Sequence, residues 1–198
     1  MGRKNLSAER SEQILDAFES CIAKHGLEAS TLDMVATEAG VKRSLIRHYL
    51  GNRDDALACL VERMIERERA KLPSEGVWKM ASSKQIVKGL IDELFGAQAD
   101  SAAYVLELFK GLWLSSAVNE KTRMHLKRLY REYFRGIEIA LLHAFPKAKK
   151  TAIRQCAYAL LCLSDGHRSM DIISVSSGSK RAVRAAAEGL VEQLAVVS

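Results

Sequence analysis

The chain has 198 residues, 48% hydrophobic and 27% charged, a balance that excludes wholesale disorder and leaves room for one or two packed domains. No window approaches the roughly 18 uninterrupted apolar residues that a membrane-spanning helix needs. The formal net charge of +6 is uneven: residues 1–72 hold 12 Lys+Arg and 12 Asp+Glu, and residues 73–198 hold 18 and 12, so bulk charge makes no case for a nucleic-acid-binding amino terminus.

Abundant Ala, Leu, Glu, Lys and Arg with only two prolines point to helices throughout, with Pro73 and Pro146 between them. Ile14, Ala17, Phe18, Cys21 and Ile22 form the apolar stripe of a helix over 8–24, with Ser7 as its N-cap and Gly26 after its end. Ser30-Thr31-Leu32-Asp33 sets a hydroxyl three residues before a carboxylate and starts a short helix that Gly40 ends. A third helix covers 42–50. Asn52 caps a fourth over 53–72, with Asp54 and Asp55 in its positive first turn and a stripe of Leu57, Leu60, Val61, Met64 and Ile65. Longer helices follow at 83–98, 101–118, 120–144, 148–174 and 180–196, with a loop at 174–179. Nine helices and no strand make an all-α protein. Its expected parts are a three-helix bundle (1–52), a connecting helix (53–72) and a larger helical domain (73–198).

Residues 31–50 carry the chemistry. Two helices of about nine residues on either side of Gly40-Val41 make a helix-turn-helix pattern. Ala36 is small where the two helices must approach, Val35, Ala39, Val41 and Ile46 are apolar toward the first helix, and Gly40 supplies the positive φ of a tight turn. No acidic residue lies between Glu38 and Asp54, while Lys42, Arg43, Arg47 and Arg53 all do. On the third helix Arg43, Ser44, Arg47 and His48 share the face opposite Val41, Ile46 and Leu50. That donor-rich face suits base edges in a major groove; the plainer reading is a solvated basic face, which would ordinarily include carboxylates.

The run from Ile14-Leu15-Asp16-Ala17-Phe18 through Gly26, Thr31, Val35-Ala36, Ala39-Gly40-Val41, Ile46, Tyr49, Arg53 and Leu57 resembles the TetR family of bacterial transcriptional repressors over about 45 residues, in family order and spacing. The tract Leu45–Arg53 looks most like the BetI branch of that family. Lys42, Ser44 and Leu50 depart from the family's usual Ser, Gly and Phe. The resemblance implies a homodimeric, ligand-responsive repressor on a palindromic DNA operator, acting in the bacterial cytoplasm and associated with the nucleoid when bound. It makes the third helix the recognition helix, with Lys42, Arg43, Ser44, Arg47 and His48 as base or phosphate contacts. Leu45 is assigned either to a thymine methyl or to packing. Thr31 and Tyr49 are assigned to phosphate, and Arg53 matches the family's phosphate-binding Lys. Arg3 and Lys4 form a short disordered arm, either reaching the DNA or not engaged.

By the same resemblance the larger domain dimerises and encloses a small molecule. Ala157, Leu160, Leu161 and Ser164, with Ala182, Ala185, Ala186, Gly189, Leu190, Leu194 and Val197, are the expected dimer-packing positions in the last two helices; an intramolecular core is the alternative. Tyr104, Glu107, Leu108, Phe109 and Trp113 form the densest aromatic cluster, which Trp78, Tyr130 and Phe134 could join. Such a cluster reads either as a ligand pocket or as plain core. Glu107 and Asp165 are the carboxylates for a cationic inducer, a quaternary amine by the BetI-like character, and Trp113 could add a cation–π contact; for Asp165 the alternative is a hydrogen bond to a hydroxyl or to Arg168.

Other classes find less support. Met1-Gly2-Arg3-Lys4-Asn5 lacks the apolar segment of a signal peptide, and Cys21, Cys59, Cys156 and Cys162 lie far apart in apolar stretches, as in a reduced protein. His25, His48, His125, His143 and His167 sit on different helices, and Cys156 and His167 share a face that excludes Cys162. With no Gly-rich phosphate loop or nucleophile motif, neither an enzyme nor a cofactor or metal is expected. A helical small-molecule-binding or adaptor protein that never touches DNA, and a transcriptional activator of the same fold, remain the alternatives.

Overall fold

A computed structural model describes residues 3–96, 108, 110–114, 120–172 and 179–196. Among these residues there are no strands, and nine helices run in the order α1 (Arg3–His25), α2 (Leu32–Glu38), α3 (Arg43–Leu50), α4 (Arg53–Lys71), α5 (Glu75–Met80), α6 (Ser83–Phe95), α7 (Glu120–Ala144), α8 (Lys150–Ile172) and α9 (Ser179–Val196). Leu108 and residues 110–114 are helical as well, and the rest of the expected 101–118 helix lies outside the described residues. So does all but Ser179 of the expected 174–179 loop.

Local chemistry explains most boundaries. Pro73 follows the end of α4 and Pro146 the end of α7, as expected of a residue that lacks an amide donor. Asn52 and Asp55 cap α4 reciprocally, each side chain accepting the other's backbone N–H at 3.0 Å, and Ser82 and Gln85 form the same kind of box at α6. Three starts differ from expectation. The first helix begins at Arg3, so Ser7 is an interior residue whose carbonyl accepts the Ser11 hydroxyl at 3.1 Å, and Arg3 and Lys4 are helical rather than a loose arm. The cap of α2 is Thr31, whose Oγ1 accepts the Met34 amide at 3.2 Å; Ser30 is fully buried and donates to the Gly26 carbonyl at 2.7 Å. The six-residue α5, Glu75–Met80, was not expected at all.

The described residues fall into two compact units, one drawn from 1–67 and 102–130, the other from 68–101 and 131–198. In the first, the α1 stripe of Ile14, Leu15, Phe18, Cys21 and Ile22 packs on Val35, Ala36, Ile46 and Leu50 from α2 and α3 and on Leu57, Leu60, Val61, Met64 and Ile65 from α4. Leu108, Leu112, Leu126 and Leu129 complete this core. Burying each such side chain contributes roughly 1.5–3 kcal/mol. Gly111 is needed here for close approach. A Cβ at this position would stand 2.7 Å from Leu27 Cδ2 and nearer still to its Cβ.

A buried cation ties α4 to α1. Arg63 is only 6% exposed and meets Glu12 at 3.1 Å, Asp16 at 2.8 Å and Glu19 at 2.5 Å. Glu19 is shared with Arg67 at 2.8 Å.

The second unit is built from α6, α8 and α9 with the later part of α7. Ile91, Phe95, Ile137, Leu141, Ile153, Ala157, Leu160, Ala187, Val191 and Leu194 form its core. Burial pushes the Cys156 thiol up to about 11. Arg184 reaches Asp92 at 2.5 Å, and hydrogen bonds from Lys88 and then Arg184 hold that carboxylate below its ordinary range.

Replacing Arg63 with Met keeps much of its bulk but leaves Glu19 nearly buried without its principal partner. Urea denaturation is expected to show a loss of about 3 kcal/mol, the scale for breaking a buried ion pair from one side. A loss below about 1 kcal/mol would class the cluster with ordinary exposed pairs.

Candidate nucleic-acid interface

The helix-turn-helix rests on α1 through its backbone as well as its core. Between α2 and α3 the chain turns at Gly40, φ +64°, a left-handed conformation that a side chain disfavours. The Val41 amide donates to the Ala36 carbonyl at 3.0 Å, and Leu45 to Lys42 at 2.8 Å. Gln13 of α1 donates its side-chain amide to the Ala39 carbonyl at 3.1 Å, pinning the turn. Glu38, at the end of α2, accepts Lys24 at 2.7 Å and the Ser20 hydroxyl at 2.6 Å. Those two bonds, Lys24 first, hold its carboxyl below the usual range.

The third helix is sharply two-sided. Ile46 and Leu50 are buried, and the half-buried Tyr49 packs on the same core. On the other side Lys42, Arg43, Ser44, Leu45, Arg47 and His48 are all exposed. Leu45 thus stands outside the core and is free for an apolar contact. Lys42 and Arg47 have no side-chain partner among the described residues, and the His48 ring meets Tyr49 edge-on at 4.9 Å. Thr31, exposed at the start of α2, combines its capping bond with a helix N-terminus suited to an anion.

Three dimensions add two partners that the pattern along the chain does not show. The face is free of carboxylates along α3 but not in space, because Arg43 Nη1 donates to Asp33 Oδ2 of α2 at 2.7 Å. Arg53 is half-buried and donates to the Leu27 carbonyl at 2.7 Å, with Glu28 at 4.0 Å, so its guanidinium braces the loop after α1. Sequence distance hid both. Asp33 lies ten residues before Arg43, and the carbonyl of Leu27 leaves no mark in the side-chain pattern.

The aromatic candidates divide between the units. In the first, Leu108 is fully buried core, whereas Trp113 is 59% exposed and donates Nε1–H to the Tyr130 hydroxyl at 3.1 Å. In the second, Trp78 stacks on His143 at 4.8 Å with planes 3° apart, Phe134 packs on the core, and half-buried Asp165 accepts the Ser169 hydroxyl at its backbone carbonyl. Tyr104, Glu107 and Phe109 lie outside the described residues. Among the expected dimer positions, Ala157, Leu160 and Leu194 fill the chain's own core, and Ser164 donates to the Leu94 carbonyl at 3.2 Å. Tyr158, Cys162 and Met170 of α8 and Ala182, Ala185 and Ala186 of α9 face outward instead. Val197 lies outside the described residues. No group of three metal-ligating side chains occurs among the described residues, and no described helix is long and apolar enough to cross a membrane.

A helix-turn-helix with an exposed basic reading face, carried on a three-helix bundle, defines a DNA-binding regulator. Residues 14–58 match the family model of bacterial regulatory proteins, tetR family. The chain is similar to the HTH-type transcriptional regulator BetI of Burkholderia ambifaria, 27% identical over 170 residues and 84% of each chain. It is likewise similar to that of Burkholderia lata, 26% identical over 173 residues and 84% of each. A TetR transcription regulator from Haloarcula marismortui has the same fold with a TM-score of 0.77, at 16% identity over 94% of this chain and 98% of that one. A transcriptional regulator from Saccharomonospora viridis in complex with choline shares it at 0.67, with 19% identity over 93% and 96%. Residues 14–58 thus match the DNA-binding segment of the tetR family, and over most of its length the chain is similar to transcriptional regulators of that family.

Thr31→Ala is expected to lower stability by about 1 kcal/mol through loss of the α2 cap, and Thr31→Ser to restore it, as read by thermal melting. Equal melting of Thr31→Ala and the parent would remove the capping role.

Proposed function

We propose that this protein is a homodimeric repressor that binds a palindromic operator and is released by a small cationic inducer, working in the bacterial cytoplasm. The observation that carries the DNA-binding part is the exposed side of α3, where Lys42, Arg43, Ser44, Arg47 and His48 project from a helix whose buried Ile46 and Leu50 pack on α1 and whose preceding turn and α2 are fixed to α1 through Gln13 and Glu38. In this reading Arg47 and Arg43 meet base edges. Lys42, Ser44, His48, Thr31 and Tyr49 meet bases or phosphates, Leu45 reaches an apolar base edge, and phosphate contacts set the register. Arg53 acts by bracing the loop at Leu27 and adds charge near the backbone. Two copies related by a two-fold axis would meet half-sites roughly 34–36 Å apart. The outward residues of α8 and α9 suit the subunit contact.

Support for the inducer class comes from the likeness to BetI regulators and to the choline-bound regulator. Trp113 with Tyr130, and Trp78 with Phe134 and Asp165, are the described groups whose chemistry suits such a cation; Tyr104, Glu107 and Phe109 belong to the same proposal. Ligand entry would shift α4 as a lever and change the half-site spacing.

Selection from a pool of random duplexes by the full-length protein tests the DNA-binding reading. A palindrome with steeply salt-dependent affinity is expected, and Arg47→Ala should weaken binding to it by roughly 1–3 kcal/mol while relaxing base preference. Failure to enrich any duplex would refute the reading. For the inducer, calorimetric operator affinity should fall by a coupling of about 1–3 kcal/mol with saturating choline. Unchanged affinity would exclude choline.

A further inference from the structure

Every cation on the reading face could serve a phosphate, but one is already committed. Arg43 opens α3, the end of a recognition helix that enters the groove first. Its Nη1 is taken by Asp33 Oδ2 at 2.7 Å, although both side chains remain open to solvent, 54% and 63% exposed. An exposed pair contributes little to stability, and a carboxylate near DNA phosphates is unfavourable for affinity. The pair does, however, restrict a long, flexible side chain to one orientation. It also leaves the Nε and Nη2 N–H groups, which make no bond among the described residues. These two donors point in parallel from one edge of the guanidinium, the pattern that matches guanine O6 and N7.

We propose that Asp33 is a positioning residue for sequence reading: it holds Arg43 so that its remaining edge selects a guanine in the major groove. The inference rests on the DNA-binding reading and adds to it a residue on α2 that touches no base. Because the pair is neutral overall, Arg43 contributes base preference and Asp33 cancels much of its pull on phosphate.

The test measures affinities of parent, Asp33→Ala, Asp33→Asn and Arg43→Ala proteins for the selected duplex, for single-base variants of it and for a non-specific duplex, across a salt series. Arg43→Ala should abolish preference for guanine at one base pair of the site. Asp33→Ala should reduce preference at that same pair by about tenfold, with non-specific affinity raised several-fold and the salt dependence steeper by about one phosphate contact. Asp33→Asn keeps an acceptor oxygen and should fall between parent and Asp33→Ala. Undiminished preference in Asp33→Ala overturns the proposal, and so does a loss in Asp33→Ala at a base pair that Arg43→Ala leaves unaffected. If the parent selects no duplex, the DNA-binding reading itself falls, and the positioning role with it.

Discussion

One buried guanidinium governs the geometry of the first unit. Withdrawing a charge from water is costly unless partners replace the hydration. Arg63 meets that condition on α1, where Glu12, Asp16 and Glu19 are spaced to lie along one side of the helix. The apolar stripes of α1 and α4 press the helices together but tolerate sliding, whereas three directed ion pairs fix rotation and register. The same helix α1 holds the turn through Gln13 and the end of α2 through Glu38. Helices α3 and α4 are therefore referred to one frame, and a displacement of α4 has to act against Arg63 before it reaches α3.

The helix-turn-helix was legible because each of its features is local. A period of 3.6 marked α2 and α3, Gly40 marked the turn, and the exclusion of carboxylates from 39–53 marked the outward face. Helix lengths from α7 to α9 were legible for the same reason, since Pro146 and long apolar stripes bound them. What was missed depends on backbone groups or on distant partners. The choice between Ser30 and Thr31 as cap is made by burial, which the two hydroxyls do not reveal. The six residues of α5 are too few for a period. The pairing of Arg43 with Asp33 and the bond from Arg53 to the Leu27 carbonyl are not legible, because a basic tract shows charge along the chain and not across it.

The second unit shows a different limit. Ala157, Leu160 and Leu194 have the spacing of a packing face, and sequence cannot say whether that face meets the same chain or another copy. Here it meets α6 and α7, leaving Tyr158, Cys162 and Met170 on the outward side. Aromatic residues gave a similar ambiguity. Leu108 is core, while Trp113 with Tyr130 and Trp78 with His143 are separate pairs, each with a polar partner, which is how large rings with an N–H or O–H are commonly kept partly inside.

Where Gly111 meets Leu27, all the volume of the seam lies on one side. Such a seam is inherited as a pair: a bulkier residue at 111 fits only if position 27 shrinks by about as much, because close-packed interiors keep total volume more strictly than identity. Leu27 also lends its carbonyl to Arg53. That compensating exchange would re-seat the loop that Arg53 braces, so a change at a residue far along the chain is felt just ahead of the helix-turn-helix.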